Sequence, residues 1–98
     1  MRIAFQAVNF TAEAKLIEFS KKRVQKFTQF YDRILGIEVF AKLENASDKT
    51  NKQIEIKIDV PGENIIVKKT YKTFEEALDT AAGSAERVLK KRKEKAKD

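Results

Sequence analysis

Residues 73–97, TFEEALDTAAGSAERVLKKRKEKAK, decide how this chain folds. On a helical period Ala77, Leu78, Ala81, Ala82, Ala85, Val88 and Leu89 fall on one stripe, with Glu75, Glu76 and Asp79 ahead of the bases. Thr73 followed three residues later by Glu76 is a capping-box pattern, which marks the start of the helix. From Arg87 onward, Arg87, Lys91 and Lys95 stand four apart and form one row beside the apolar stripe. Such a helix is packed along one side and charged along its back half, and it needs an apolar sheet to cover.

The residues upstream supply that sheet. Ile65 to Lys72 reads as a strand with Ile65 and Val67 on one face, and Lys69 continues that inward phase, so the strand ends early or the lysine stem snorkels at the margin. Pro61-Gly62 begins the turn before it. Gln53 to Val60 alternates, with Ile54, Ile56, Ile58 and Val60 inward and Glu55, Lys57 and Asp59 outward. Gly36 to Glu44 alternates in the same way, with Ile37, Val39, Ala41 and Leu43 on one side. Between the two, NASDKTNK at 45–52 is a polar loop tip expected to be mobile.

Earlier still, Thr11 is expected to cap an amphipathic helix with Glu13 in its first turn, running to about Phe30 through Leu16, Ile17, Val24, Phe27 and Tyr31. Arg2 to Val8 alternates and reads as a first strand. The order is strand, helix, three strands in an antiparallel meander, helix. The expected fold is α+β: a two-layer β-α-β-β-β-α sandwich, a four-stranded sheet with two helices packed on one face. Residues 1–98 form one domain, fraying beyond about Lys93.

Composition narrows the chemistry. The 98 residues include no cysteine and no histidine, which removes thiol nucleophiles, disulfides, the usual zinc sites and imidazole acid/base catalysis. Three isolated glycines make no phosphate-cradling loop, and neither a cofactor nor a metal is expected. Gly83, inside the last helix, costs about 1 kcal/mol relative to alanine and suggests a close backbone approach, to a phosphate for example. No apolar run has the form of a signal peptide or a membrane span, so a cytoplasmic protein without a membrane partner is expected.

A net charge of +6 favours a polyanionic partner, nucleic acid first. The bases are arranged rather than scattered. Lys15, Lys22, Lys26 and Arg33 project in nearly one direction from the first helix, and Phe19, Arg23 and Phe30 lie between that stripe and the core face, with Lys26 at the boundary. Such a row can pack rings or guanidinium groups on ribose or bases. The plainer alternative, favoured by how often phenylalanine is buried, is that both rings widen the apolar stripe. The dipole accounts for bases at the end of the last helix, but not for a stripe running the length of the first. The bare sheet face, with Glu38, Glu44, Glu55 and Asp59, is expected to be mixed to acidic, so that the domain is polarised. A catalytic carboxylate pair there would need a deep cleft between Glu38 and Asp59.

These elements together resemble the short ribosome hibernation-promoting factors and protein Y. The resemblance is carried by the opening strand leading to a Thr-started helix, by KRVQKFTQFYDRI at 22–34, by DVPGE at 59–63 and above all by KTFEEALDTAAGSAERVLKKRKEK at 72–95. It implies a non-enzymatic translation inhibitor that binds small-subunit rRNA in the channel of messenger and transfer RNA. The positions it implies for RNA binding are Arg23, Lys26, Arg87 and Lys91, with Lys22, Lys90 and Lys95 as neighbours. Ser84 stands where relatives often carry another base. The chain ends soon after the second helix, without the extended tail of protein Y or the second domain of the long factors. Silencing single ribosomes and pairing them both stay open. The small ribosomal subunit is the implied partner, with no small-molecule substrate and a monomeric free protein. A general double-stranded-RNA-binding or ribosome-assembly module is the competing reading of two basic helices.

Overall fold

The computed structural model describes residues 1–44 and 49–96. Strand β1 (Arg2–Val8) leads into helix α1 (Ala14–Gln25) and a 3₁₀ turn over Lys26–Gln29. Strands β2 (Gly36–Leu43), β3 (Lys52–Val60) and β4 (Glu63–Tyr71) follow, and helix α2 spans Phe74–Ala96. The sheet order is β1-β2-β3-β4. β2, β3 and β4 form the expected antiparallel meander, while β1 pairs with β2 in parallel, so α1 is the crossover a parallel pair requires.

Register explains why one face became the core. Ile3, Ile37, Ile58 and Ile65 stand in one cross-strand row, and Phe5, Val39, Ile56 and Val67 in the next. Ala7, Ala41, Ile54 and Lys69 form a third, so Lys69 does continue the inward phase, half-buried at the sheet edge. Against these rows pack Ala77, Leu78, Ala81, Ala82, Ala85 and Leu89 of α2, with Val24, Phe27 and Tyr31 from the α1 side, in a single cluster. Small residues on α2 let the helix sit close to isoleucine-rich strands. Val88 departs from the expected stripe: it is 41% exposed, on the flank of α2 beside Lys91 and Arg92.

Sequence signals for the turns hold where side chain and backbone chemistry coincide. Thr73 Oγ1 accepts a hydrogen bond from the Glu76 N–H at 3.1 Å, the cap predicted for α2. Gly62 adopts φ 89° behind Pro61, a turn that a residue with a Cβ would strain. Asn9 turns the chain out of β1 at φ 71°, which asparagine tolerates better than most residues. Phe10 and Phe74, just before α1 and at the start of α2, stack with ring centroids 4.8 Å apart and tie the two helix starts together.

Both ends of the first helix differ from expectation. Glu13, not Thr11, is its N-cap, with extended backbone and no side-chain cap bond; its carbonyl accepts from the Leu16 and Ile17 N–H groups. At the other end α1 stops at Gln25. The Thr28 hydroxyl there donates to the Gln25 carbonyl at 3.2 Å, and the chain tightens to 3₁₀ geometry while Phe27 stays fully buried. Ser20 is fully buried in α1 and its hydroxyl has no partner among the described residues.

The bare sheet face is mixed, within the range expected of it. Register sets Lys57 opposite Glu38 and Lys68 opposite Glu55, so acids and bases alternate across the strands. The loop tip expected at 45–52 falls partly outside the described residues; of its described part, Lys52 already belongs to β3, and the Glu44 N–H donates to the Asn51 carbonyl. α2 continues past Lys93 to Ala96, and the rest of the expected frayed end lies outside the described residues.

Candidate nucleic-acid interface

Among the seven bases singled out in the sequence, the structure separates those held by carboxylates from those left with none. Arg23 is held. Its Nη1 donates to Glu86 Oε2 at 2.5 Å, Nη2 to Glu86 Oε1 at 3.5 Å and Nε to Asp79 Oδ1 at 3.3 Å. The fork therefore spans from α1 to two carboxylates one face-repeat apart on α2. The hydrogen bond to Glu86 is the main cause that raises the Arg23 guanidinium above its ordinary value, burial opposes it, and the charges of Glu86 and Asp79 add to it. Sequence reasoning placed Arg23 among bases free to meet RNA and missed that Asp79 and Glu86, seven apart, share the α2 face that meets α1. The spacing itself was the available signal.

Lys22 and Lys26 are differently placed. Both are exposed, and neither has an ion pair among the described residues. They separate two shallow hollows on α1 and its 3₁₀ turn. One, of about 390 Å³, is lined by Lys22, Gln25, Lys26, Thr28 and Gln29. The other, of about 230 Å³, is lined by Phe19, Lys22, Arg23 and Lys26.

On α2 the bases divide between two sides. Lys90 sits with its Nζ 5.0 Å from the centre of the Phe30 ring, which brings it to the end of the first helical segment. Phe30 is thus a half-buried support under a cation, closer to the plainer of its two readings. Arg87 is exposed and donates from Nη2 to Ser84 Oγ at 3.1 Å. Lys91 and Lys95 line a different hollow, of about 230 Å³, with Glu63, Val88 and Arg92 on the β4 side. Arg92 was not among the bases singled out. It bonds the Glu63 carboxylate and the Pro61 carbonyl and lies 5.9 Å over the Tyr31 ring, anchoring the back of α2 to the β3–β4 turn. Of the seven bases, Lys90 reaches the end of the first helical segment through Phe30, Lys22 and Lys26 are exposed beside Arg23, Arg87 is exposed beside Ser84, and Lys91 and Lys95 line the hollow toward β4.

Gly83 is not crowded by the rest of the chain. A Cβ there would meet nothing nearer than Arg87 Nη1 at 3.9 Å, so no part of the chain makes the close approach expected at that position. The cleft sought between Glu38 and Asp59 is an open hollow of about 300 Å³ that also holds Arg2 and Lys57. No cluster of three or more potential metal ligands occurs among the described residues, and no helix among them is long and apolar enough to cross a membrane.

Fold and surface together define a small α+β binding protein with a cationic helical layer and a charge-balanced sheet. The pattern of the Sigma 54 modulation protein / S30EA ribosomal protein family matches residues 3–97, and the chain belongs to that family, the family of the ribosome hibernation promoting factors and protein Y. It is a family of ribosome hibernation factors and not of enzymes. A curated relative, the ribosome hibernation promoting factor of Pseudomonas putida, is 22% identical over 95 residues, covering 97% of this chain and 89% of the relative. Two solved structures share the fold. A ribosomal subunit interface protein from Coxiella burnetii superposes with a TM-score of 0.80 at 18% identity, covering 95% of this chain and 98% of the other. The N-terminal domain of protein Y from Thermus thermophilus gives a TM-score of 0.78 at 22% identity, covering 93% and 98%.

Proposed function

We propose that this protein is a translation inhibitor that seats its helical layer on small-subunit rRNA in the decoding channel and excludes messenger and transfer RNA by volume and charge. The observation that carries this reading is the set of bases without carboxylate partners among the described residues along the two helical segments, Lys22 and Lys26 on one and Arg87 and Lys90 on the other. Lys91 and Lys95 extend the contact along α2, and Arg23 acts mainly by holding the helices in register. Family membership supports the ribosome as the partner, since a relative is named a ribosome hibernation promoting factor and a structural neighbour a ribosomal subunit interface protein. The free protein acts as a monomer. Contacts of this kind read backbone and shape rather than sequence.

Co-sedimentation with purified small subunits tests the reading. The protein pellets with them at low salt, and neutralisation of about five phosphates gives a slope of log affinity on log salt of roughly −3.5 to −4.5. Reversing the charge at Lys22, Lys26, Arg87 and Lys91 abolishes pelleting while the melting temperature barely moves. Pelleting that persists in the reversed variant, or a slope near zero, would overturn the proposal. Excess free duplex RNA leaves the subunit complex intact, whereas displacement would identify a general duplex-binding module.

A further inference from the structure

Phe19 is 37% exposed on α1, and it does not sit on a bland surface. It forms part of a hollow of about 230 Å³ whose other walls are Lys22, Arg23 and Lys26. An isolated exposed apolar residue needs no explanation. A ring in a hollow walled by three cations does, because no cation–π contact occupies it among the described residues as Lys90 occupies Phe30, so its face is left to a ligand.

We propose that this hollow receives one unpaired nucleotide of the bound RNA, its base stacked on the Phe19 ring and its flanking phosphates on Lys22 and Lys26. This deepens the RNA-facing reading above and rests on it. The spacing fits: residues 19, 22, 23 and 26 share one helix face, and Lys22 and Lys26 are separated by about 6 Å along the axis, comparable to one nucleotide of backbone. The charge fits as well. Glu86 and Asp79 already satisfy Arg23, so the wall it forms is fixed, while Lys22 and Lys26 keep their charge for a ligand. The hollow is smaller than the roughly 300–1,000 Å³ typical of sites that enclose a drug-sized ligand. It offers one face to one ring system. Duplex RNA keeps its bases inside the helix and cannot use such a platform; a nucleotide unstacked from a loop or single strand can.

The chain has no tryptophan, so Phe19→Trp installs a single reporter at the platform. This variant is titrated with a short oligoadenylate, an RNA duplex, inorganic polyphosphate and small ribosomal subunits. The oligoadenylate and the subunits quench the indole emission saturably. Polyphosphate binds through charge alone and leaves the emission unquenched, as does the duplex. In parallel Phe19→Ala weakens oligoadenylate binding about 5- to 150-fold, the range for losing one stacked base, without changing the salt slope, and Phe19→Tyr restores it. Phe19→Leu, which keeps apolar bulk and loses the aromatic face, fails to restore it.

Equal quenching by polyphosphate and oligoadenylate, or wild-type affinity in Phe19→Ala, overturns the proposal. Subunits that co-sediment with the Trp variant without quenching it overturn the stacking and leave the ribosomal reading standing. Quenching by oligoadenylate from a protein that never pellets with subunits does the reverse. Weakened subunit binding in Phe19→Ala with no quenching by any RNA shows the ring meeting a ribosomal protein, which also overturns the proposal.

Discussion

Arg23 shows how far a residue's role depends on what faces it. Its position in a row of bases suits an RNA contact, but its donors are committed to Glu86 and Asp79. Replacing Glu86 by Gln removes the main partner without removing bulk. Thermal unfolding of Glu86→Gln shows a loss of about 1 kcal/mol, the upper end for exposed pairs. The salt slope of subunit binding steepens by up to about 0.9 as Arg23 becomes free to meet a phosphate. An unchanged slope would place Arg23 on RNA already. Gly83 makes the complementary case. No atom of the chain crowds it, so Gly83→Ala raises stability by about 1 kcal/mol, a gain of roughly 4–8 °C in melting temperature for a domain of this size. A drop in subunit affinity in that more stable variant would locate a phosphate against the bare backbone. A stable variant with intact affinity leaves Gly83 with no contact to make.

At the scale of elements, α2 was legible almost completely and α1 only in its middle. The start of α2 is written by one side chain acting on one N–H, and Thr73 supplies that half of the capping box. Thr73→Ala accordingly costs about 1 kcal/mol, and amide exchange in the first turn of α2 quickens before that of Leu89. Equal protection in both forms would mean that the Phe10–Phe74 stack, not the cap, holds this end. The strands were legible for a similar reason: period-two alternation over Gly36–Leu43 and Lys52–Val60 leaves one choice of inward face. The ends of α1 were not. Thr11 is a better capping residue than Glu13, but the chain leaving β1 turns at Asn9 and reaches helical geometry only at Ala14. Periodicity placed Phe27 and Tyr31 on the core face correctly, but the 3₁₀ turn after Gln25 buries them as a continued α-helix was expected to, so the pattern does not mark where the α-helix stops. Neither the parallel β1–β2 pairing nor the acid-base alternation of the bare face follows from one strand alone. Both are properties of register.

Across the whole molecule, the layers differ in how charge is arranged. Register sets acid against base on the sheet, while the ion pairs among the described residues hold arginines of the helices and leave the lysines of α1 without one. On the sheet, Glu38 faces Lys57 and Glu55 faces Lys68. On the helices, Lys22 and Lys26 face no acid among the described residues. Ion pairing also sets the pH response. The guanidinium groups of Arg23 and Arg92 are raised above the ordinary arginine value, chiefly by hydrogen bonds to Glu86 and Glu63. A raised folded value means stability that is fully present below the ordinary arginine range and is lost only in strong alkali, as pH climbs through the folded value. With no histidine or cysteine to titrate in between, subunit affinity and melting temperature stay flat from about pH 6 to 9. A transition inside that window would require a charge change outside this protein's side chains.

The inner face of the sheet is roofed chiefly by the six buried residues between Ala77 and Leu89. During synthesis, Ile37, Ile54, Ile56, Ile58 and their neighbours emerge with nothing to shelter them until that helix follows. A nascent chain still missing residues 74–89 therefore presents greasy, half-finished strands to its surroundings, and its cationic roof does not yet exist. The layer that carries the unpaired lysines is thus the last part of the domain to be completed, and it takes its final shape only as the helix that closes the core emerges.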